Sequence, residues 1–187
     1  MTLFNKEFKV TLCVWGSIQV LYLVFLSESF LADVDDDVFK RTARLTSSIS
    51  ILINIALIPA YMAVLGIISF FSARLCSLQL EKRYLVDGLT QVGLVFIVYN
   101  ILKIANVYYY HDVLRSIDPL LESSAELLSS TKWVHIQQLL DFCVTFGAGL
   151  IFVLEIEKEL PLKLSQWITL FFSITLPLLL LSMMSFS

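Results

Sequence analysis

TSSISILINIALIPAYMAVLGIISFFSA, residues 46–73, runs for 28 positions without a charged side chain. A transmembrane helix needs about 20 mostly apolar residues, and this stretch supplies them with room to spare. It is continuously apolar at its centre. A transmembrane barrel strand would alternate apolar and polar residues, so a β-barrel is excluded as a reading of this block. Pro59 sits inside it, where a proline frees one backbone carbonyl and bends the helix.

Working outward, four more blocks have the same character: residues 10–31, 89–110, 133–154 and 164–186. The third carries Asn100, Lys103 and Asn106, and the fourth opens with His135, Gln137, Gln138 and Asp141, so both score lower on a hydropathy window. Pro177 lies inside the last. The expected fold is therefore all-α: one polytopic transmembrane helical bundle over residues 1–187, with about five spans or, alternatively, four. Loops are short and no soluble domain is expected.

Composition agrees with that choice of solvent. Of 187 residues, 58% are hydrophobic and 16% are charged, against about 25% charged in ordinary soluble domains. Mean hydropathy is +0.82. Net charge is −3, and no run of Lys or Arg exceeds two residues, so no direct nucleic-acid footprint is present. Neither a glycine-rich phosphate loop, nor His-Glu-x-x-His, nor Gly-x-Ser-x-Gly occurs. No enzyme is expected, and no cofactor or metal site. Cys13, Cys76 and Cys143 are widely spaced and read as small hydrophobes without a disulfide.

Lys6, Lys9, Arg74, Lys82, Arg83, Lys158 and Lys163 fall on one side of a five-span arrangement, and Lys40, Arg41, Arg44, Arg115 and Lys132 on the other. The positive-inside rule then puts the N-terminus in the cytoplasm. The N-terminal block is too long for a signal-peptide core and lacks a cleavage pattern, so it reads as an anchor. Compact loops suggest a bacterial inner membrane. Tyr108, Tyr109, Tyr110, Trp133 and Trp167 stand where interfacial aromatics would. Between the third and fourth spans, Asp118 as N-cap and Pro119 would open an amphipathic helix carrying Leu121, Ala125 and Leu128 on one side, lying at the interface or packed on the loops.

Ionisable residues inside a bilayer are expensive and mark function or a pair. Lys103 and Asp141 have matching depth, because the ends of their two helices share a loop. At 100° per residue, Asn100, Lys103 and Asn106 share one third of the third helix, and His135, Gln138 and Asp141 one third of the fourth. With Asn54 at similar depth they make an expected intramembrane polar seam, and Glu28 lies nearer the surface. Three roles stay open for the seam: packing glue, permeation or sensing, and an oligomer interface. Asp33, Asp35, Asp36 and Asp37 lack the glycine and distal glutamate of a calcium loop. They read as a solvated helix extension. Gly147-Ala148-Gly149 permits close helix approach. Residues 74–87, with Arg74, Lys82, Arg83 and Tyr84, form the largest cytoplasmic surface and a candidate docking loop for a soluble protein, or simply a solvated positive loop.

Two functions are compatible with this. One is a non-enzymatic membrane subunit, a homo-oligomeric anchor or sensor for a soluble cytoplasmic partner. The alternative is a small oligomeric ion channel or carrier that uses the seam. In length and layout the chain resembles the membrane subunit of the bacterial Kiwa anti-phage system, a family described as four-span where five candidates stand here. That resemblance implies an oligomeric inner-membrane protein that senses phage disturbance of the envelope and organises a soluble effector.

Overall fold

A computed structural model of the chain describes residues 5–32, 34, 36–117 and 128–184. Those residues form helices α1 (Lys6–Leu31), α2 (Asp37–Leu75), α3 (Lys82–Tyr109), α4 (His111–Arg115), α5 (Lys132–Glu157) and α6 (Leu164–Met184). α1, α2, α3 and α5 are long and apolar enough to cross a membrane. α6 is shorter, at 21 residues, and runs back alongside α5. Against five candidate blocks, four helices thus meet the length and composition of a span. The chain is an all-helical, membrane-compatible bundle.

Helix starts are set by local chemistry rather than by the edge of the apolar run. The Asn5 side chain accepts from the Phe8 amide at 2.7 Å, and the Asp36 carboxylate accepts from the Val38 and Phe39 amides at 2.8 and 3.0 Å. Because of the Asp36 cap, α2 begins well before residue 46 and carries Lys40, Arg41 and Arg44 on helical backbone. The first connection shrinks to residues 32–36, and the second to residues 76–81. Ser77 closes α2 with φ 56°, while the Leu78 amide returns to the Ala73 carbonyl at 2.9 Å. A left-handed residue after the last turn is how many helices stop.

The five long helices pack as a ring, α1 on α3, α3 on α5, α5 on α6, α6 on α2 and α2 on α1. Its interior is filled at the end where the chain begins: Met62, Leu65, Leu89, Val92, Ala148, Phe152, Val153 and Ile156 are all buried. Small residues set the spacing. A Cβ at Gly88 would come within 2.8 Å of the Phe152 ring, and one at Gly93 within 2.7 Å of the Thr11 methyl. Across α2 and α6, the Ser69 and Ser173 hydroxyls share a hydrogen bond of 3.0 Å.

The opposite end is different. α2 buries residues only from Ile58 onward, and Leu45, Ile49, Leu52, Ile53 and Leu57 are all exposed. In a bilayer that face meets lipid. Its one described polar tie to α1 is Arg44 on Glu28, two hydrogen bonds of 3.1 and 3.0 Å between half-exposed side chains. Exposed pairs contribute less than about 1 kcal/mol. Arg44→Ala is accordingly expected to leave the thermal midpoint of the detergent-solubilised protein nearly unchanged, and a large drop would mean that the pair anchors α2.

A second, smaller cluster of Tyr22, Val107, Leu114 and Trp133 caps this end. Trp133, expected at the headgroup level, is turned inward edge-on to Phe30. The amphipathic helix expected from Asp118 falls on residues 118–127, outside the described residues, as do Asp33 and Asp35. Of its flanks, Leu114 and Ile117 are buried and Leu128 packs on the second cluster.

Candidate functional site: an intramembrane polar cluster

Three helices bring the polar residues together, although not in the expected pairing. The Lys103 ammonium lies 4.3 Å from the centre of the Tyr22 ring and 4.9 Å from that of Tyr99. Among the described residues no carboxylate oxygen is within salt-bridge distance of it. Asp141 meets Tyr99 at its hydroxyl instead. Its carboxylate accepts from the Tyr99 hydroxyl and, at 3.1 Å, from the Gln137 amide, which also donates to the Tyr99 oxygen at 3.2 Å. Tyr99 therefore stands between the two charges, its ring toward the cation and its hydroxyl on the anion. The expected Lys103–Asp141 contact is replaced by this relay.

The reason is helix phase. α5 turns Trp133, Gln137, Thr145, Ala148 and Phe152 inward, steps of mostly four residues that follow its contact with α3. Gln138 is 100° away from Gln137 and His135 lies on the far side, so both are exposed. They are outside the cluster. Thr145 bonds back to the Asp141 carbonyl at 2.7 Å. Asn106, expected in the seam, is buried nearer the helix end and donates to the Trp133 carbonyl at 3.3 Å.

A cavity opens beside Lys103, with a volume of about 190 Å³. α1 contributes Trp15 and Gln19, α2 contributes Asn54 and Tyr61, and α3 contributes Phe96, Tyr99 and Asn100. Trp15 stacks on Phe96 with ring centres 4.7 Å apart, making one aromatic wall. Asn54 is exposed at the rim and donates to the Ser50 carbonyl at 2.8 Å. Asn100 is 1% exposed, and neither its amide nitrogen nor its oxygen has a partner. The Tyr61 hydroxyl is likewise buried without one. Buried polar atoms are almost always paired in folded proteins, so two such side chains in one cavity are its distinguishing feature.

Compared with family models, with curated proteins and with solved structures, the chain matches none. The site must be read from its own geometry. Tyr99, Gln137, Tyr61 and Trp15 are the members that sequence reasoning missed. Tyr99 and Gln137 sit one turn before Lys103 and Asp141, and that i, i+4 spacing was the available signal.

The exposed part of the candidate docking loop is also smaller than expected. Arg74 lays its guanidinium 4.9 Å from the Phe70 ring centre, and Arg83 reaches Asp87 at 3.9 Å along α3. Tyr84 is half-buried against the apolar core, so it does not belong to an exposed surface. The turn between α2 and α3 is tied to α6, because the Gln166 amide donates to the Cys76 carbonyl at 3.2 Å and the Cys76 thiol bonds the Thr169 hydroxyl. Leu75, Gln79, Lys82 and Arg83 remain exposed around it. Among the described residues no three His, Cys, Asp or Glu side chains gather as a metal site.

Proposed function

We propose that the chain is a non-enzymatic membrane subunit that senses an event at one face of a bilayer and reports it to a soluble protein at the other. It acts as a homo-oligomer in a bacterial inner membrane, with its N-terminus in the cytoplasm. The observation that carries this reading is the separation of Lys103 from Asp141 by Tyr99 above a filled apolar core. Two opposite charges held a residue apart in low dielectric have a second arrangement, direct pairing, that a modest shift of α3 against α5 would reach. Such bistability is what a switch needs.

The filled core bears on the channel alternative. Phe152, Val92 and Leu65 have no exposed surface, so a path entering at the polar cluster ends on packed side chains within one copy. An open receptor-like cavity over a sealed base fits sensing better than conduction. The exposed Leu75, Gln79, Lys82 and Arg83 edge is the cytoplasmic reporting surface, tied through Cys76 and Gln166 to α6. Anti-phage surveillance, implied by the resemblance to the Kiwa membrane subunit, is one process that would use such a part.

The test is affinity purification from the native host in mild detergent, with the masses and ratio of all components measured. A stoichiometric soluble protein that is lost from Gln79→Ala, Lys82→Ala, Arg83→Ala triple-variant protein is the expected result. A partner-free oligomer that passes ions in liposomes would overturn the reading.

A further inference from the structure

We propose that the cavity between α1, α2 and α3 is a binding site for a small anionic group, a carboxylate or an inorganic anion, held by Lys103, Asn100 and Tyr61. The Lys103 ammonium supplies the charge, and aromatic rings rather than a carboxylate surround it. Asn100 Nδ2 and the Tyr61 hydroxyl are buried donors with nothing to donate to. Three donors around one cavity, one of them cationic, are the chemistry that recognises an anion, and charge-assisted hydrogen bonds are the strong ones.

Size narrows the choice. About 190 Å³ suits a headgroup or a free ion, whereas drug-sized ligands occupy roughly 300–1,000 Å³. The rim at Asn54 and Leu57 is exposed, and α2 has no buried residue on the stretch leading to it. The cavity is thus open sideways at membrane depth, where the carboxylate of a single-chain amphiphile can enter with its tail left in lipid. An aqueous anion is the other source of the same chemistry.

The proposal rests on the receptor reading of the cavity. Its test measures binding alone, so a protein that binds the anion without a soluble partner, or the partner without the anion, separates the two.

Trp15 is the reporter, because it lines the cavity and is 6% exposed. In full-length protein carrying Trp133→Phe and Trp167→Phe, Trp15 fluorescence is followed while dibromostearate or potassium iodide is added to nanodiscs of neutral lipid. Expected is saturable quenching by dibromostearate, competed by oleate and not by oleyl alcohol. Lys103→Gln and Asn100→Leu should each shift its midpoint by about tenfold or more, the weight of a charged or buried hydrogen bond. Asn100→Leu removes polar atoms that bond nothing in the chain, so its thermal midpoint should hold and loss of binding in it is not loss of fold. Saturable, Lys103-dependent quenching by iodide with none by dibromostearate would assign the site to an aqueous anion. Quenching by neither, or quenching indifferent to both substitutions, overturns the proposal.

Discussion

Gly149→Leu is expected to unfold at a much lower temperature than the parent protein, and Gly147→Leu, two positions away, is not. A Cβ at Gly149 would overlap the Thr175 hydroxyl and lie 3.2 Å from the Phe171 ring, whereas one at Gly147 meets nothing within 4 Å. Both residues share the same helix and differ little in propensity, so the comparison isolates the α5–α6 contact. Overpacking a tight interface costs about 1–3 kcal/mol, and here the obstacles are the short, branched Thr175 side chain and the Phe171 ring of the neighbouring helix. Thermal unfolding in detergent, read by intrinsic fluorescence, is the measurement. Equal midpoints for the two variants would mean that α6 does not seat on α5 at Gly149.

The second large effect is at Asp141. Its carboxylate accepts from two donors, the Tyr99 hydroxyl and the Gln137 amide. Asp141→Ala leaves the Tyr99 hydroxyl without its acceptor and the Gln137 amide with only the Tyr99 oxygen, at a cost of about 2 kcal/mol, above the average of about 0.6 kcal/mol for a single interhelical bond in a membrane protein. Asp141→Asn keeps an acceptor oxygen and should recover most of that loss. Tyr99→Phe combined with Asp141→Ala should cost less than the sum of the two, because the pair is already broken. Additive losses in that cycle would show that Tyr99 and Asp141 act separately.

The helices were legible because a bilayer imposes a length and a composition on any segment that crosses it, and the chain obeys both over residues 10–31, 46–73, 89–110 and 133–154. Their ends were not. Hydropathy marks only the apolar part of a helix, so the Asp36 cap and the charged first turns of α2 and α3 lay beyond what it detects. In the polar cluster the depths of Lys103 and Asp141 followed from the rise per residue, and the residues do lie near one another through Tyr99. Helix rotation was the missing variable. A 100° step separates Gln137 from Gln138, and only packing against α3 decides which of them turns inward. Nothing in the order of residues says that a tyrosine ring will take the place of a carboxylate beside a lysine.

α2 has a consequence of its own. Residues 46–73, 28 positions without a charge, measure about 42 Å as a helix, against roughly 30 Å of hydrocarbon. A rod that outruns its slab must lean, bend at Pro59, or thicken the lipid around it. Since its first half buries no residue against the other helices and is tied to α1 by the exposed Arg44–Glu28 pair, the angle it takes there is set largely by the bilayer. Thinning the membrane by a few ångströms would then tip that arm further and change the mouth beside Asn54 while the packed half below stayed fixed. Membrane thickness would in that case act as a mechanical input to the protein.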